Sequence, residues 1–559
     1  MNSTFTWLFF TLYNRIWRRS FSSRRWRQWG GLAAVFGFGA TSAGCTSGAP
    51  PLLPPAPNSA QVLVRPYPTA FGYGTNLGYY GAAWPDERLA AAAAAAGSTT
   101  IRVTLPEEFL VKWGPNARRA AFSYYADSLG LRDLVCFVGE PTPAHRDPAT
   151  YPGCHEQSRL FANLYEPIWQ ANGRVNPKNY YAQYIYDLTQ RYGNNIRVWE
   201  VVNEPDFITN TVNEKWAGRA PAPAELPNLQ APVYRYIRTL RITWEVVKKY
   251  RPAAYVTPGG LGYAQFLDAL LRYTDNPHDG RPTPHYPALG GAYFDLVDYH
   301  VYPSYYLRHR AWQRAGRFAY TRHSDGAAAQ VLGHQAALAA VLRRYGYDGT
   351  TYPRKHFIVT ETNIARRPSD WRFSSDEMQR NFGIKALVLA QVHDIRQLHF
   401  YSLAEAATAP PPGTAVSSEE EFKLMGLYED FNRDAPGRQR LTQLGQAMRT
   451  TSSLLRGLPY NAAGTAALHL PPTVAGAAFG GASRLVYVLW AKTLTDQQEN
   501  ATATYTLPPL VGPGHLTQHA WNQAPGTPGQ ALPPSQPLAL TGTPAFFVFD
   551  RPAPVAGLR

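Results

Sequence analysis

From about residue 60 to residue 455 the chain repeats one unit, an apolar run followed by a stretch with helical periodicity. Apolar runs fall at 71–76, 99–105, 133–138, 196–202, 254–259, 294–300, 356–361 and 395–402. Helical stretches lie between them at 85–97, 117–129, 177–192, 232–250, 262–273, 327–345, 376–393 and 438–455, the first of them very rich in alanine. Strict alternation of eight and eight predicts an α/β fold, a parallel (β/α)8 TIM barrel rather than an open sheet. No internal repeat occurs at solenoid or propeller periods. After Leu458 the pattern changes. Short β-type runs at 484–491, 502–507 and 544–549 are separated by Gly/Pro-rich turns, which predicts a smaller C-terminal β-sandwich over 458–559. Gln61 to Val64 is a candidate extra strand for that sandwich.

Two of the eight runs end in the same way. Val198 to Val202 is a strand that Asn203, Glu204 and Pro205 terminate, because a proline cannot continue a sheet interior. His356 to Thr360 is an apolar run that ends in Glu361, followed by Thr362 and Asn363. In a parallel barrel the C-terminal strand ends are where chemistry is placed. Two glutamates on two such tips supply what glycoside cleavage needs: one protonated acid, and one ionised nucleophile or base.

Composition bounds the alternatives. The 559 residues, 45% hydrophobic and 17% charged, suffice for a large core and two domains. Aromatic residues make up 13%, which packing explains in the main and which also suits clefts that hold the apolar face of a sugar. The net charge of +15 does not mark a nucleic-acid binder. Arg15, Arg18, Arg19, Arg24, Arg25 and Arg27 precede residue 45, no acidic residue occurs before Asp86, and no basic block occurs elsewhere. Residues 1–45 have a basic head, a short apolar segment from Gly31 to Phe38, and the small residues Thr41 to Gly44 before Cys45, the order of an export signal. Its end resembles a bacterial lipoprotein box with Cys45 as the lipidated residue, although Ser42 stands where leucine is usual. The expectation is an exported protein of the cell envelope, touching a membrane only through that N-terminal lipid anchor, or a periplasmic or extracellular one. Residues 46–59, rich in Pro, Ala, Ser and Gly, make a linker, and 60–457 the barrel. Cys136 and Cys154 remain as a candidate disulfide, and no Cys/His cluster has zinc-ligand spacing.

The strand-end motifs taken together resemble the retaining glycoside hydrolases of the (β/α)8 superfamily called clan A. There the acid/base glutamate follows an asparagine at the end of strand four, and the nucleophile glutamate ends strand seven. Asn203-Glu204 and Glu361 take those places. Arg102, in Thr100-Ile101-Arg102-Val103 on strand two, matches the arginine beneath the nucleophile, and Asp298-Tyr299-His300-Val301-Tyr302 matches the strand-six pattern. The resemblance covers about residues 70–455. Within the clan, the tryptophan–glutamate–asparagine–glutamate–proline string and the trailing β-domain are similar to family 39, which holds β-xylosidases, iduronidases and exopolysaccharide hydrolases. Family 5, the cellulases and mannanases, follows. Strand eight departs from the pattern: Tyr401 stands where many members carry a tryptophan under the reacting sugar.

The resemblance implies Glu361 as nucleophile, its charge favoured by Arg102, and Glu204 as acid/base. It implies Asn203 as a partner of the sugar 2-hydroxyl, Tyr302 as the orienter of Glu361, and His300 as a ligand of Glu361 or of the sugar. The long connections 206–231 and 301–326 would build subsites, with Trp216, Trp312, Tyr305, Tyr306, Trp371 and Tyr401 as candidate stacking residues. The expected function is cofactor- and metal-free hydrolysis of O-glycosidic bonds in an oligo- or polysaccharide by double displacement. The alternative is a catalytically inactive carbohydrate-binding envelope protein on the same scaffold.

Overall fold

The computed structural model describes residues 70–208, 216, 218–310, 318–435, 437–481, 483–509, 514–533 and 536–551. The export signal with Cys45, the 46–59 linker, the candidate strand at Gln61 to Val64 and Trp312 lie outside the described residues. No helix among the described residues is long and apolar enough to cross a membrane.

Eight parallel strands form the barrel: β1 Gly72–Asn76, β2 Thr100–Thr104, β3 Leu134–Val138, β4 Ile196–Val201, β5 Tyr255–Pro258, β6 Leu296–Val301, β7 His356–Thr362 and β8 Ile395–Phe400. Each coincides with a predicted run to within a few residues. The ladder runs β5-β4-β3-β2-β1-β8-β7-β6. Between β5 and β6 the ring is joined by Asp295 N donating to Val256 O at 2.8 Å and Leu261 N donating to Asp298 O at 3.1 Å. These strands read as nearly unbroken apolar runs because both faces are covered, one by helices and one by the barrel interior. Inside, Val135, Val198, Tyr255, Leu296 and Ile358, from five strands, pack as one layer beneath the polar residues of the strand ends.

The helices follow from periodicity and caps. Asn179, Ser375 and Thr442 each accept the backbone N–H three residues on, satisfying donors that a helix start leaves open for Tyr180–Tyr192, Asp376–Val392 and Gln443–Leu455. A short helix, Glu107–Trp113, follows β2 and was absent from the sequence reading. The connection after β3 runs from 139 to 179 without a helix, following the predicted gap between 138 and 177. The last barrel helix starts at Gln443 rather than 438, so the β8 connection is also long. Cys136 and Cys154 are both free thiols, the first buried, so the candidate disulfide does not form.

The C-terminal unit is a five-stranded antiparallel sheet, ordered Val474–Gly480, Arg484–Ala491, Ala545–Asp550, His515–His519, Gln530–Leu532, accompanied by the pair Thr502–Tyr505 and Leu538–Thr541. Side chains alternate along Arg484–Ala491 with period two. Leu489 and Tyr487 enter the sandwich core, whereas Val486, Val488 and Trp490 join the barrel core. One face of the sheet is thus a wall of the barrel unit.

A polar latch reinforces that wall. Lys385, fully buried, donates to Ser324 Oγ at 2.6 Å and Asp325 Oδ2 at 2.7 Å. Asp325 also accepts from Trp490 Nε1 at 2.9 Å and Thr493 Oγ1 at 2.6 Å, and Glu499 accepts from Ser324 Oγ at 2.6 Å and Asn381 Nδ2 at 2.8 Å. Removing one member strands the rest in a poorly hydrated interface. Lys385→Met is expected to cost about 3 kcal/mol, the low end for breaking a buried pair because Asp325 keeps some water contact. Denaturant unfolding of the full chain checks this; a loss under about 0.5 kcal/mol would contradict it.

Candidate active site

The chain leaves β4 through a tight turn. Val202 and Glu204 both take left-handed backbone angles, φ 61° and 46°, which β-branched and long side chains rarely adopt and which cost free energy and persist only where surroundings enforce them. Pro205 follows, and Asn228 Nδ2 donates to the Glu204 carbonyl at 2.9 Å. Gly259 makes room for the turn, since a Cβ there would lie 1.5 Å from the Val202 carbonyl oxygen. The turn thus presents Asn203 and Glu204 at the C-terminal mouth of the barrel.

Glu361 reaches the same mouth by a β-bulge. Between β6 and β7 the register runs Tyr299 to Val359, then His300 to Glu361, so Thr360 is an extra residue in β7. The β8 side agrees: Leu398 pairs with Val359 and Phe400 with Thr362. A bulge of this kind re-aims side chains. Here it turns both Thr360 and Glu361 inward.

Arg102 lies beneath them, buried on β2. Its Nε and Nη2 fork onto Glu200 at 2.8 and 2.6 Å, Nη1 donates to Asn76 Oδ1 at 3.0 Å and Glu361 Oε1 at 2.5 Å, and Nη2 donates to Asn203 Oδ1 at 2.6 Å. Tyr302 OH donates to the other Glu361 oxygen at 2.6 Å. Burial alone would push the Glu361 carboxyl up, but His300, Arg102 and the Tyr302 hydrogen bond outweigh it and hold the group below the ordinary glutamate range. Because Asn203 Oδ1 faces Arg102, its amide N–H groups are turned elsewhere.

His300 stands between the two glutamates. Its Nδ1 lies 2.9 Å from Glu204 Oε1 and 3.8 Å from Glu361 Oε2. Burial disfavours the imidazolium, yet Glu361 and the bond to Glu204 keep the ring's pKa up at about 9. Donor atoms from Glu204, His300 and Glu361 all lie within 4.8 Å of one another, as do those of Glu200, Asp298 and His300. Both Glu200 oxygens already accept from Arg102, and Glu361 is answered by Arg102 and Tyr302. The chemistry of these clusters is therefore ion pairing and proton sharing around a fixed guanidinium.

The structure brings Glu204, Glu361, Asn203, Arg102, His300 and Tyr302 into one constellation. Tyr401 joins its edge, its ring 6.1 Å from that of Tyr302 and nearly perpendicular to it. Trp216 does not join. It is 1% exposed, packs edge-on against Tyr263 and Phe266, and donates to Glu225, so it braces its connection and offers no face to a ligand. Tyr305 and Tyr306 are exposed on the rim after β6, and Tyr305 stacks on Phe422 and donates to Glu421. Trp371 packs near Tyr320 with the Arg308 guanidinium over its ring.

Asn76, Glu200, Asp298, Thr360, Gly259 and Gly260 went unassigned in the sequence. One signal was present: a mid-strand arginine needs a buried partner, and Glu200 lies two residues from the inward Val198, on the same face of its strand. Gly260 is the least obvious. A Cβ there would sit 2.0 Å from the His300 ring.

No family model and no curated protein matches this sequence. In fold the chain is similar to a family 39 glycoside hydrolase from Bacteroides cellulosilyticus, with TM-score 0.53 and 16% identity over 86% of this chain and 81% of that one. That likeness is one of fold, an eight-stranded parallel barrel carrying an antiparallel β-domain. A family 30 endoxylanase from Clostridium papyrosolvens gives TM-score 0.47 and 14% identity over 86% and 96% of the two chains. A family 51 α-L-arabinofuranosidase from Thermotoga petrophila gives 0.47 and 10% over the same shares.

Gly260→Ala is expected to displace His300 and break its bond to Glu204, at a cost of about 1–3 kcal/mol for overpacking. A crystal structure of the variant with denaturant unfolding checks both. An unmoved His300 ring would show that the glycine is not required.

Proposed function

We propose that the chain is a retaining glycoside hydrolase that cleaves O-glycosidic bonds of an oligo- or polysaccharide by double displacement. The observation that carries this is the pairing of Glu204 with Glu361, with an oxygen of each within 4.8 Å of the other. That closeness favours the retaining arrangement, with carboxyl groups about 5–5.5 Å apart, over the inverting one at about 6.5–9.5 Å, which must leave room for a water.

Glu361 is the nucleophile: it is nearly buried, ionised and oriented through both oxygens. Glu204 is the acid/base. Among the described residues its side chain meets a histidine nitrogen that can give or take a proton, and no guanidinium. Asn203, its carbonyl oxygen fixed by Arg102, presents N–H donors suited to a sugar hydroxyl. Tyr401 and the rim tyrosines Tyr305 and Tyr306 supply aromatic faces for sugar rings. The export signal read in residues 1–45, with Cys45 as lipid attachment point, would place this chemistry outside the cytoplasm, where polymeric glycans are met.

Three measurements test the reading on the full chain. Glu361→Ala is expected to abolish turnover on every substrate. Glu204→Ala should spare the first step on activated aryl glycosides while losing about 10²–10⁴-fold on poor leaving groups. Azide should then yield a product of retained configuration from Glu204→Ala and of inverted configuration from Glu361→Ala. Equal losses on all leaving groups for Glu204→Ala would overturn the assignment.

Tyr302→Phe tests the electrostatics. Losing the hydroxyl raises the Glu361 pKa, and the nucleophile must be ionised, so the acidic limb of kcat/KM should move to higher pH. A hydrogen bond to a charged group is worth about 1.5–3 kcal/mol, equivalent to roughly one to two units. A pH–rate profile with an unmoved acidic limb would refute Tyr302 as a stabiliser of the ionised form.

A further inference from the structure

A line of four side chains runs from Glu204 into the barrel interior. Glu204 Oε1 lies 2.9 Å from His300 Nδ1, His300 Nε2 lies 2.9 Å from Thr360 Oγ1, and that hydroxyl lies 2.6 Å from Asp298 Oδ2. The other Asp298 oxygen accepts from the Thr360 backbone N–H at 3.1 Å, which fixes the far end. Asp298 and Thr360 are fully buried and His300 is nearly so. Each link joins groups able to exchange donor and acceptor roles. Double displacement as set out above assigns nothing to Thr360 or Asp298.

With the His300 ring neutral, three protons and one net negative charge can be placed on this line in two complete ways. In the first, Glu204 keeps its proton and donates to Nδ1, Nε2–H donates to Thr360, and the Thr360 hydroxyl donates to ionised Asp298. In the second, Asp298 holds a proton and donates to Thr360, Thr360 donates to Nε2, and Nδ1–H donates to ionised Glu204. Passing from first to second breaks the Glu204 O–H, His300 Nε2–H and original Thr360 O–H bonds. It forms Nδ1–H, a new Thr360 O–H and Asp298 O–H. No proton enters or leaves, and an imidazolium between two carboxylates is the half-way state.

We propose that Asp298, acting through Thr360 and His300, is a buried proton store: it supplies Glu204 with the proton given to the leaving oxygen and takes back the one Glu204 removes from water. This rests on the retaining reading above, whose two steps need opposite states of the same carboxyl. Asp298 is suited to the task. Burial, with Glu200 nearby, pushes its carboxyl up to about 8 against the pull of His300 and Arg102, so the proton can reside there near neutrality. Among the described residues the line is also faced by Glu361, Asp206, His399, Tyr302, Tyr263 and Tyr299. Asp206 accepts from the Gly262 and Tyr263 backbone N–H groups and Glu361 from Arg102 and Tyr302, so neither breaks into the line.

The test uses the full chain and Asp298→Asn, Thr360→Val and Thr360→Ser, with folding checked by thermal melting. In Asp298→Asn the amide oxygen stays on the Thr360 backbone N–H, and the amide N–H can only donate toward the Thr360 hydroxyl. That freezes the second arrangement with Glu204 ionised. Asp298→Asn should therefore lose about 10²-fold in kcat/KM on poor leaving groups and far less on activated aryl glycosides. Thr360→Val should do the same, and Thr360→Ser should restore wild-type behaviour. Infrared difference spectra give a substrate-free readout. The carbonyl stretch of a buried protonated carboxyl, present near neutral pH, should vanish in Asp298→Asn, and its titration midpoint should move by about one unit in Glu204→Gln. A folded Asp298→Asn variant with wild-type leaving-group dependence would overturn the proposal, as would a spectrum unchanged by that substitution. A wild-type protein inactive on a broad glycan panel would count against the glycosidase reading, and the infrared arm alone would then decide whether the store exists.

Discussion

One buried guanidinium sets the positions of everything else in the site. All five N–H donors of Arg102 are used, on Glu200 twice and on Asn76, Glu361 and Asn203 once each. Those partners come from β1, from β4 and the turn after it, and from β7, so one side chain ties three other strand ends to β2. A charge this deep is tolerated only when fully paired, and Glu200 offsets most of the desolvation through a two-point fork. Lysine, with three donors and no planar fork, could not hold the same set. Such a pair is weak evidence for net stability. It is strong evidence for fixed geometry.

From that geometry the two glutamates acquire different characters within a few ångströms. Glu361 lies in the field of Arg102 and accepts from Tyr302 as well, which keeps its charge. Glu204 stands on a strained turn and faces a ring nitrogen. Neither character is a property of glutamate. Each follows from which strand end carries the residue and what the neighbouring strand presents, the usual way environment separates the roles of paired carboxylates.

Much of this was legible in the sequence, for physical reasons. Eight buried strands must be apolar and their helices amphipathic, so element order and number showed through, and Pro205 marked where β4 stops. Arg102 stood out because a mid-strand cation demands a buried anion. What did not show through depends on register and close approach. A bulge leaves no compositional trace, so the inward turn of Thr360 beside Glu361 was invisible, and with it the link from His300 to Asp298. Gly260 carries no functional group, yet its missing Cβ is the space the His300 ring occupies. Trp216 misled in the opposite direction. An aromatic in a long connection suits a sugar platform, but burial of an indole is worth more than its exposure, and its N–H found Glu225.

The bulge stands beside Arg102 as a constraint on function. A regular strand alternates its side chains, so it can aim either position 360 or position 361 into the barrel, not both. Glu361 is needed at the mouth, where Arg102 and Tyr302 meet it. Thr360 is needed one step deeper, between His300 and Asp298. Only an extra residue in β7 satisfies both, and the register to each neighbouring strand carries that extra residue at the same place. The proposed nucleophile and the hydroxyl behind the proposed acid/base are therefore consecutive residues on one irregular segment. A shift of that segment would disturb the charge of Glu361 and the proton link of Glu204 together, which couples two halves of the chemistry that contact different atoms.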